Sequence, residues 1–335
     1  MMNEYRGKHA PSRPWPVASS ASVPSRRGRH QKKNRRRRIG LFVLLIFILM
    51  LIAYPFIEPK IITVDHIRIN DPESKEYRGS GIHLPSNMEY LRIVYVSDIH
   101  WGHWFSDWDL GRLVKQINNL YPDIVILGGD YATDFESAVI FFNRLQENRL
   151  RAKLMIYGIL GETDYIGEDI NISRLRDAMK NAGITPLINE ADTVSLISSG
   201  ITNDYGIEEG KVCVVGVDDF LSGSPDLKSL AYSGKVSSSE YVILAAHNPA
   251  VIQMTQKQIN SEWFELGLFG HTHGGQIRFL SDLLDLADEV PERYREGTYE
   301  ENRSILLISH GIGTSVIPCR FLCFPQINCI DIIPD

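Results

Sequence analysis

From residue 91 onward the sequence repeats one unit: a short, continuous run of β-branched apolar residues, a segment with apolar residues at helical spacing, then another run. LRIVYVS (91–97), DIVILGG (123–129) and KLMIYGIL (153–160) read as strands, with LGRLVKQINNL (110–120) and AVIFFNRLQ (138–146) as helices between them. Runs apolar on both faces belong in a parallel sheet covered on both sides, because a half-exposed strand would alternate. NISRLRDAMKNAG adds a helix, with Ser173 as its expected N-cap and Gly183 as its stop. Further strands are expected at KVCVVGV (211–217), YVILAAH (241–247), LGLFGH (266–271), QIRFL (276–280), SILLIS (304–309) and near 327–333. That number is too large for one simple doubly wound sheet. The expected fold is α/β, with two packed mixed β-sheets flanked by helices as a four-layer sandwich, preceded by one transmembrane helix.

The leader has a different chemistry. RRGRHQKKNRRRR (26–38) carries nine Lys/Arg and runs into IGLFVLLIFILMLIAYPFI (39–57), 19 residues without a charge. As a helix this stretch nearly spans the roughly 30 Å hydrocarbon layer of a bilayer. No small-residue cleavage site follows it, so an uncleaved anchor is expected rather than a signal peptide. Residues 1–25, rich in Ser, Pro and Arg, read as a disordered tail. The expected organisation is a basic cytoplasmic tail (1–38), an anchor (39–57), a linker (58–80) and a domain (81–335) held outside the cytoplasm at the cell membrane. Residues 1–58 hold 12 Lys/Arg and 2 Asp/Glu, leaving 23 basic and 39 acidic residues, a balance of −16, for the remainder. So acidic a body argues against nucleic-acid binding, which needs a phosphate-neutralising surface. Of four cysteines, Cys319, Cys323 and Cys329 cluster and Cys213 stands apart; a disulfide is compatible with this placement, and the absence of a Cys-x-x-Cys pair argues against a zinc knuckle.

Polar residues that follow buried strands collect at the carboxyl edge of a sheet, where α/β folds place ligands. Here they are Asp98 and His100 in VSDIHWGHW, Asp130 in LGGDY, Glu162 and Asp164 in LGETDY, His247 in AAHNP, and His271 and His273 in FGHTHGGQ. One such residue alone is usually a cap or a satisfied turn. Five segments in succession point to convergence on a metal centre. Two divalent ions about 3.5–4 Å apart can clamp a phosphoryl group. Mixed Asp/His shells favour manganese, iron or zinc over calcium or magnesium. Asp130 suits a bridging position.

The ordered set D-x-H, G-D, a G-N-H-D-type segment, an isolated His and G-H-T-H-G-G-Q resembles the calcineurin-like metallophosphoesterase superfamily. It is most similar to the membrane-anchored branch of YkuE-like and YaeI-like bacterial phosphoesterases, which Leu84–Pro85, LRIVYVSDIH and GIGTSVIPCRF also match. The resemblance covers roughly residues 80–333. It implies Asp98, His100 and His273 on one metal, Asp130 as the bridge, and His247 and His271 on the second. Glu162 stands where the family has a metal-binding asparagine and Thr163 where it has a catalytic histidine, so Thr163 and Asp164 occupy the catalytic segment. The implied activity is hydrolysis of a phosphodiester or pyrophosphate by two divalent metal ions, with an envelope lipid or nucleotide-lipid as candidate substrate. The alternative is a catalytically weakened or inactive metal- or ligand-binding domain displayed on the membrane.

Trp101, Trp104, Phe105 and Trp108 form a candidate apolar wall beside the first motif, His103 is a candidate phosphate contact, and DLLDLADEVPERYRE (282–296) reads as a solvated acidic helical surface. The basic run before the anchor predicts that residue 5 is protected from external protease while the 60–335 domain is accessible. Impermeant thiol labels that reach cysteines engineered into the tail, and not into the domain, would invert this topology.

Overall fold

The computed structural model describes residues 26–70, 88–102, 104–196, 210–259, 263–277, 289–301 and 303–334. The chain divides into two compact units, 1–52 and 53–335. Helix α1 (Arg26–Ile57) begins in the first and takes in the basic run as well as the apolar one. The stretch Arg37–Lys60 is long and apolar enough to cross a membrane: its 18-residue window has mean hydropathy 2.8 and is unburied.

The second unit contains two six-stranded mixed sheets. One has the order β1 (Thr63–Ile69), β12 (Gln326–Ile332), β2 (Leu91–Val96), β3 (Ile124–Leu127), β4 (Met155–Gly158), β5 (Thr185–Pro186). The other has the order β10 (Gly297–Glu301), β11 (Ser304–Ile308), β9 (Leu266–Phe269), β8 (Tyr241–Ala245), β7 (Lys211–Gly216), β6 (Glu190–Ser195). Strands β2 to β5 are mutually parallel, and so are β7, β8, β9 and β11.

Side-chain alternation assigns the layers. Ile93 and Tyr95 of β2 and Ile124 and Ile126 of β3 pack with Val212, Val214, Ile243 and Leu268 of the other sheet. Their neighbours Val94, Val96, Val125 and Leu127 face outward onto Leu110, Leu113, Phe141 and Phe142 of α2 (Asp107–Asn119) and α3 (Phe135–Asn148). On the opposite side Val215, Val242 and Leu244 meet Leu227 of α5 (Leu227–Ala231) and Val251 and Ile252 of α7 (Ala250–Gln258). Three apolar interfaces between four layers explain why the strands read as continuous apolar runs.

Several expectations need correction. Residues 58–80 are not simply a linker, since Thr63–Ile69 is an edge strand parallel to β12. Its sequence TVDHIRI mixes polar and apolar residues because an edge strand is only half covered. The N-cap of α4 (Ile172–Asn181) is Asn171, whose side chain accepts from the Arg174 backbone; Ser173 lies inside the first turn. Of the strand expected at 276–280, Ile277 makes only an isolated bridge with Phe321, and 278–280 lie outside the described residues. Residues 282–288 of the expected acidic helix also lie outside them, and Glu292–Tyr294 is a 3-10 turn. All four cysteines are free thiols.

Glu58 is fully buried, and its carboxylate accepts from the backbone N–H of Leu322 (3.0 Å) and Cys323 (2.5 Å). Glu58→Ala would orphan the buried Cys323 N–H, at a cost of about 1–3 kcal/mol, and release the part-buried Leu322 N–H to solvent. A fall in thermal unfolding midpoint of several degrees is expected in detergent-solubilised full-length protein; an unchanged midpoint would show that water replaces the carboxylate.

Candidate metal centre

The parallel strands deliver their carboxyl ends to one edge. Asp98 and His100 follow β2, Asp130 follows β3, the 161–164 segment follows β4, His247 follows β8, and His271 and His273 follow β9. Asp98, His100, Asp130, His271 and His273 all have positive φ (45° to 70°), a region uncommon for residues other than glycine. Such conformations persist only where surrounding structure over-determines them, and they cluster at functional sites. The chain turns sharply at each strand end and points these side chains inward.

Asp98, His100 and His273 place ligand atoms within 4.8 Å of one another, and so do Asp98, Asp130 and His247; Asp98 belongs to both groups. Asp130 Oδ2 lies 3.6 Å from His100 Nε2 and 3.4 Å from His247 Nε2, so it faces imidazoles of both. All five residues are buried, with Asp98 and His247 fully so. Gly270 and Gly161 make room for them. A Cβ on Gly270 would lie 2.6 Å from Asp98 Oδ2, and one on Gly161 2.9 Å from His247 Cε1.

The other expected residues are placed differently. His271 donates its backbone N–H to Asp98 (3.0 Å), and its Nε2 is paired with Glu289 at 2.7 Å. Glu162 is half-buried at the end of the β4 loop. The Thr163 N–H donates to Asp130 Oδ1 (2.9 Å), and its hydroxyl donates to the Ala132 carbonyl (2.8 Å). Asp164 is fully buried and accepts from the N–H groups of Asp130, Tyr131 and Gly161 at 2.9–3.2 Å, fastening the β3 and β4 loops together. Of the aromatic wall, Phe105 is buried, Trp101 donates to Asp107 (2.9 Å), and Trp104 and Trp108 are exposed. His103 lies outside the described residues.

Two participants escaped the sequence reading. Asp219, buried after β7, has one carboxylate oxygen without a hydrogen-bond partner. The rule of polar residues at strand ends, applied to KVCVVGVDD, would have found it. Glu289 holds both His271 and Asn248 (2.7 Å each).

The electrostatics follow from charge buried with charge. Burial alone would raise the Asp130 carboxyl, but His247 and His100 outweigh it and hold it well below the carboxylate range. Burial disfavours the His247 imidazolium, yet Asp130 and Asp98 raise its pKa well above the ordinary value. Burial, then His100 and Arg320, push His273 well down. Burial raises Glu162, with Asp130 and Asp219 adding to it. Burial and Asp130 lift Asp164 to about 8. His247 Nε2 is buried without a hydrogen-bond partner, pointing among carboxylates. An orphaned imidazole nitrogen and clustered carboxylates form a donor set that fits divalent cations.

Proteins similar to this chain carry the metallophosphoesterase name. YkuE of Bacillus subtilis (strain 168), named an uncharacterized metallophosphoesterase, is 28% identical over 262 residues that cover 76% of this chain and 84% of that protein. An uncharacterized metallophosphoesterase of Helicobacter pylori (strain ATCC 700392 / 26695) is 27% identical over 311 residues, 90% of this chain and 73% of that protein. A bovine transmembrane protein with metallophosphoesterase domain is 29% identical over 248 residues, which are 71% of this chain and 52% of that protein. The family model of calcineurin-like phosphoesterases matches residues 91–275, more than half of the chain and all the strand-end residues above, and the chain belongs to that family.

Proposed function

We propose that the protein is a membrane-anchored phosphoesterase that uses two divalent cations to hydrolyse a phosphodiester or pyrophosphate bond of a lipid-linked substrate. The observation that carries this reading is the pair of buried ligand groups that share Asp98 and face each other across Asp130. Asp98, His100 and His273 would hold one cation and His247 and His271 the other, with Asp130 shared between them and Glu162 at the rim. Two cations so placed supply Lewis-acid charge to a phosphoryl oxygen and a nucleophilic water at neutral pH.

The protein's own groups do the positioning. The Thr163 N–H fixes one oxygen of Asp130, and the Asp164 carboxylate holds the Asp130 backbone. Asp164 is fully buried, so it acts as a positioning residue. The Thr163 hydroxyl is committed to a carbonyl and offers no acid near neutral pH. A general acid at the leaving group is typically worth about 10²–10⁴-fold in rate. Its absence matters least for stable leaving groups, which favours diesters and pyrophosphates. Glu162 adds negative charge near the centre, which weighs more against a dianionic monoester than a monoanionic diester.

Support for a lipid-linked substrate comes from a groove of about 200 Å³ lined by Phe56, Pro59, Lys60, Trp104, Phe105 and Pro318. That is larger than the roughly 150 Å³ apolar cavity known to admit benzene. Phe56 lies at the end of the apolar stretch, and Trp104 follows the Asp98–His100 loop. Gly313, also on the groove, donates its N–H to the Asp98 carbonyl (2.6 Å). Exposed Trp104 beside Lys60 is the residue pairing found at membrane interfaces.

About two ions per chain are expected after loading with manganese, zinc or iron, and fewer in Asp130→Ala or His271→Ala. Elemental analysis showing only trace metal would exclude the centre. Because His247 has a raised pKa in the metal-free protein, loading should release protons. Apparent metal affinity should therefore fall as pH is lowered, and a titration in weak buffer that releases none contradicts the assignment. Glu162→Asn with Thr163→His should raise monoesterase turnover more than diesterase turnover. If metal-loaded wild type and double mutant are equally inert on both ester classes, the domain binds without catalysing.

A further inference from the structure

A second cluster of ligating side chains lies outside the centre described above. Glu296, just before β10, His310, just after β11, and Cys323, just before β12, place a carboxylate oxygen, an imidazole nitrogen and a thiol sulfur within 4.8 Å of one another. His310 Nε2 is 3.0 Å from Glu296 Oε2. Cys323 is buried, while His310 and Glu296 are 17% and 33% exposed at their side chains, so an ion has a route in from one side. Both His310 and Cys323 pack on Gly274 of the GHTHGGQ turn, where a Cβ would lie 2.7 Å from His310 Cδ2 and 2.8 Å from Cys323 Sγ.

We propose that Glu296, His310 and Cys323 form a separate mononuclear site for a thiophilic divalent cation of the zinc class. Zinc takes Cys, His and carboxylate ligands at about 2.0–2.3 Å in a tetrahedron, which sets neighbouring ligand atoms about 3.5 Å apart. Ligand atoms within 4.8 Å of one another need to move by at most about 1.3 Å to meet that. The donor set differs in kind from the nitrogen and oxygen shells of the paired site, and sulfur selects for softer metals. One thiolate and one carboxylate neutralise one divalent charge.

The ligands are also fixed before any ion arrives. The Cys323 N–H is held by Glu58 (2.5 Å). The His310 carbonyl accepts from Arg320 Nη2 (2.8 Å). Arg320 also donates to the Gly313 and Cys323 carbonyls, and its Nη1 lies 3.8 Å from Cys323 Sγ, where its positive charge favours the thiolate over the thiol. The absence of a Cys-x-x-Cys pair hid the site, because its ligands come from three separate segments. An ion there would bolt the segments around β10, β11 and β12 against the turn that presents His271 and His273.

The test uses full-length protein in detergent, stripped of metal and reloaded with cobalt(II). A thiolate-to-cobalt charge-transfer absorption in the near ultraviolet is expected, since the paired site contains no sulfur. Cys323→Ser should abolish that band and lower cobalt content by about one ion per chain, leaving the sulfur-free ions in place. Glu296→Gln should keep the band but weaken cobalt binding about tenfold or more. Absence of the band from wild type at saturating cobalt overturns the proposal without any variant. So does a band that survives Cys323→Ser, or metal content unchanged between the two.

Discussion

Asp98 and Asp130 are buried side by side, and the rest of the molecule is arranged around that unfavourable placement. Burying an uncompensated carboxylate costs far more than a protein's net stability can bear, so the charge must be paired or neutralised. Imidazoles provide part of the pairing, and Asp130 and Asp98 in turn raise the His247 pKa well above its ordinary value. A divalent cation provides it better, because it brings two charges and demands several ligands at once. The positive φ of five strand-end residues is a local backbone cost accepted to converge those ligands.

That convergence is only possible because two parallel-rich sheets meet edge-aligned. Each sheet alone would supply half of the proposed ligand set: Asp98, His100 and Asp130 from one, and His247, His271 and His273 from the other. The apolar layer between the sheets, with Ile93, Tyr95, Val214 and Ile243, therefore does more than stabilise the domain. It fixes the separation between the two halves of the candidate metal centre, where displacement of a reacting group by about 1 Å is costly.

Much of this was legible in the sequence, for reasons tied to particular residues. Strands β2, β3, β4, β7, β8 and β9 are covered on both faces, so their apolar runs are unbroken and their ends are marked by the first Asp, Glu or His. Strands β1, β6 and β10 lie at or next to sheet edges and half in solvent, which dilutes the pattern until TVDHIRI looks like a linker. Glu289 and the Glu296–His310–Cys323 cluster were illegible because tertiary contact alone brings them together. The role of Asp164 was legible only as chemistry: its position in GETDY suggested catalysis, while its side chain is taken up by three backbone N–H groups.

The proposed function requires two cations close enough to share a carboxylate. Electron paramagnetic resonance of the manganese-loaded, full-length protein tests it most directly, because two manganese ions about 3.5–4 Å apart couple magnetically and isolated ones do not. An exchange-coupled spectrum is expected, collapsing to that of isolated manganese in Asp130→Ala. A wild-type spectrum showing only isolated manganese at full loading would contradict it.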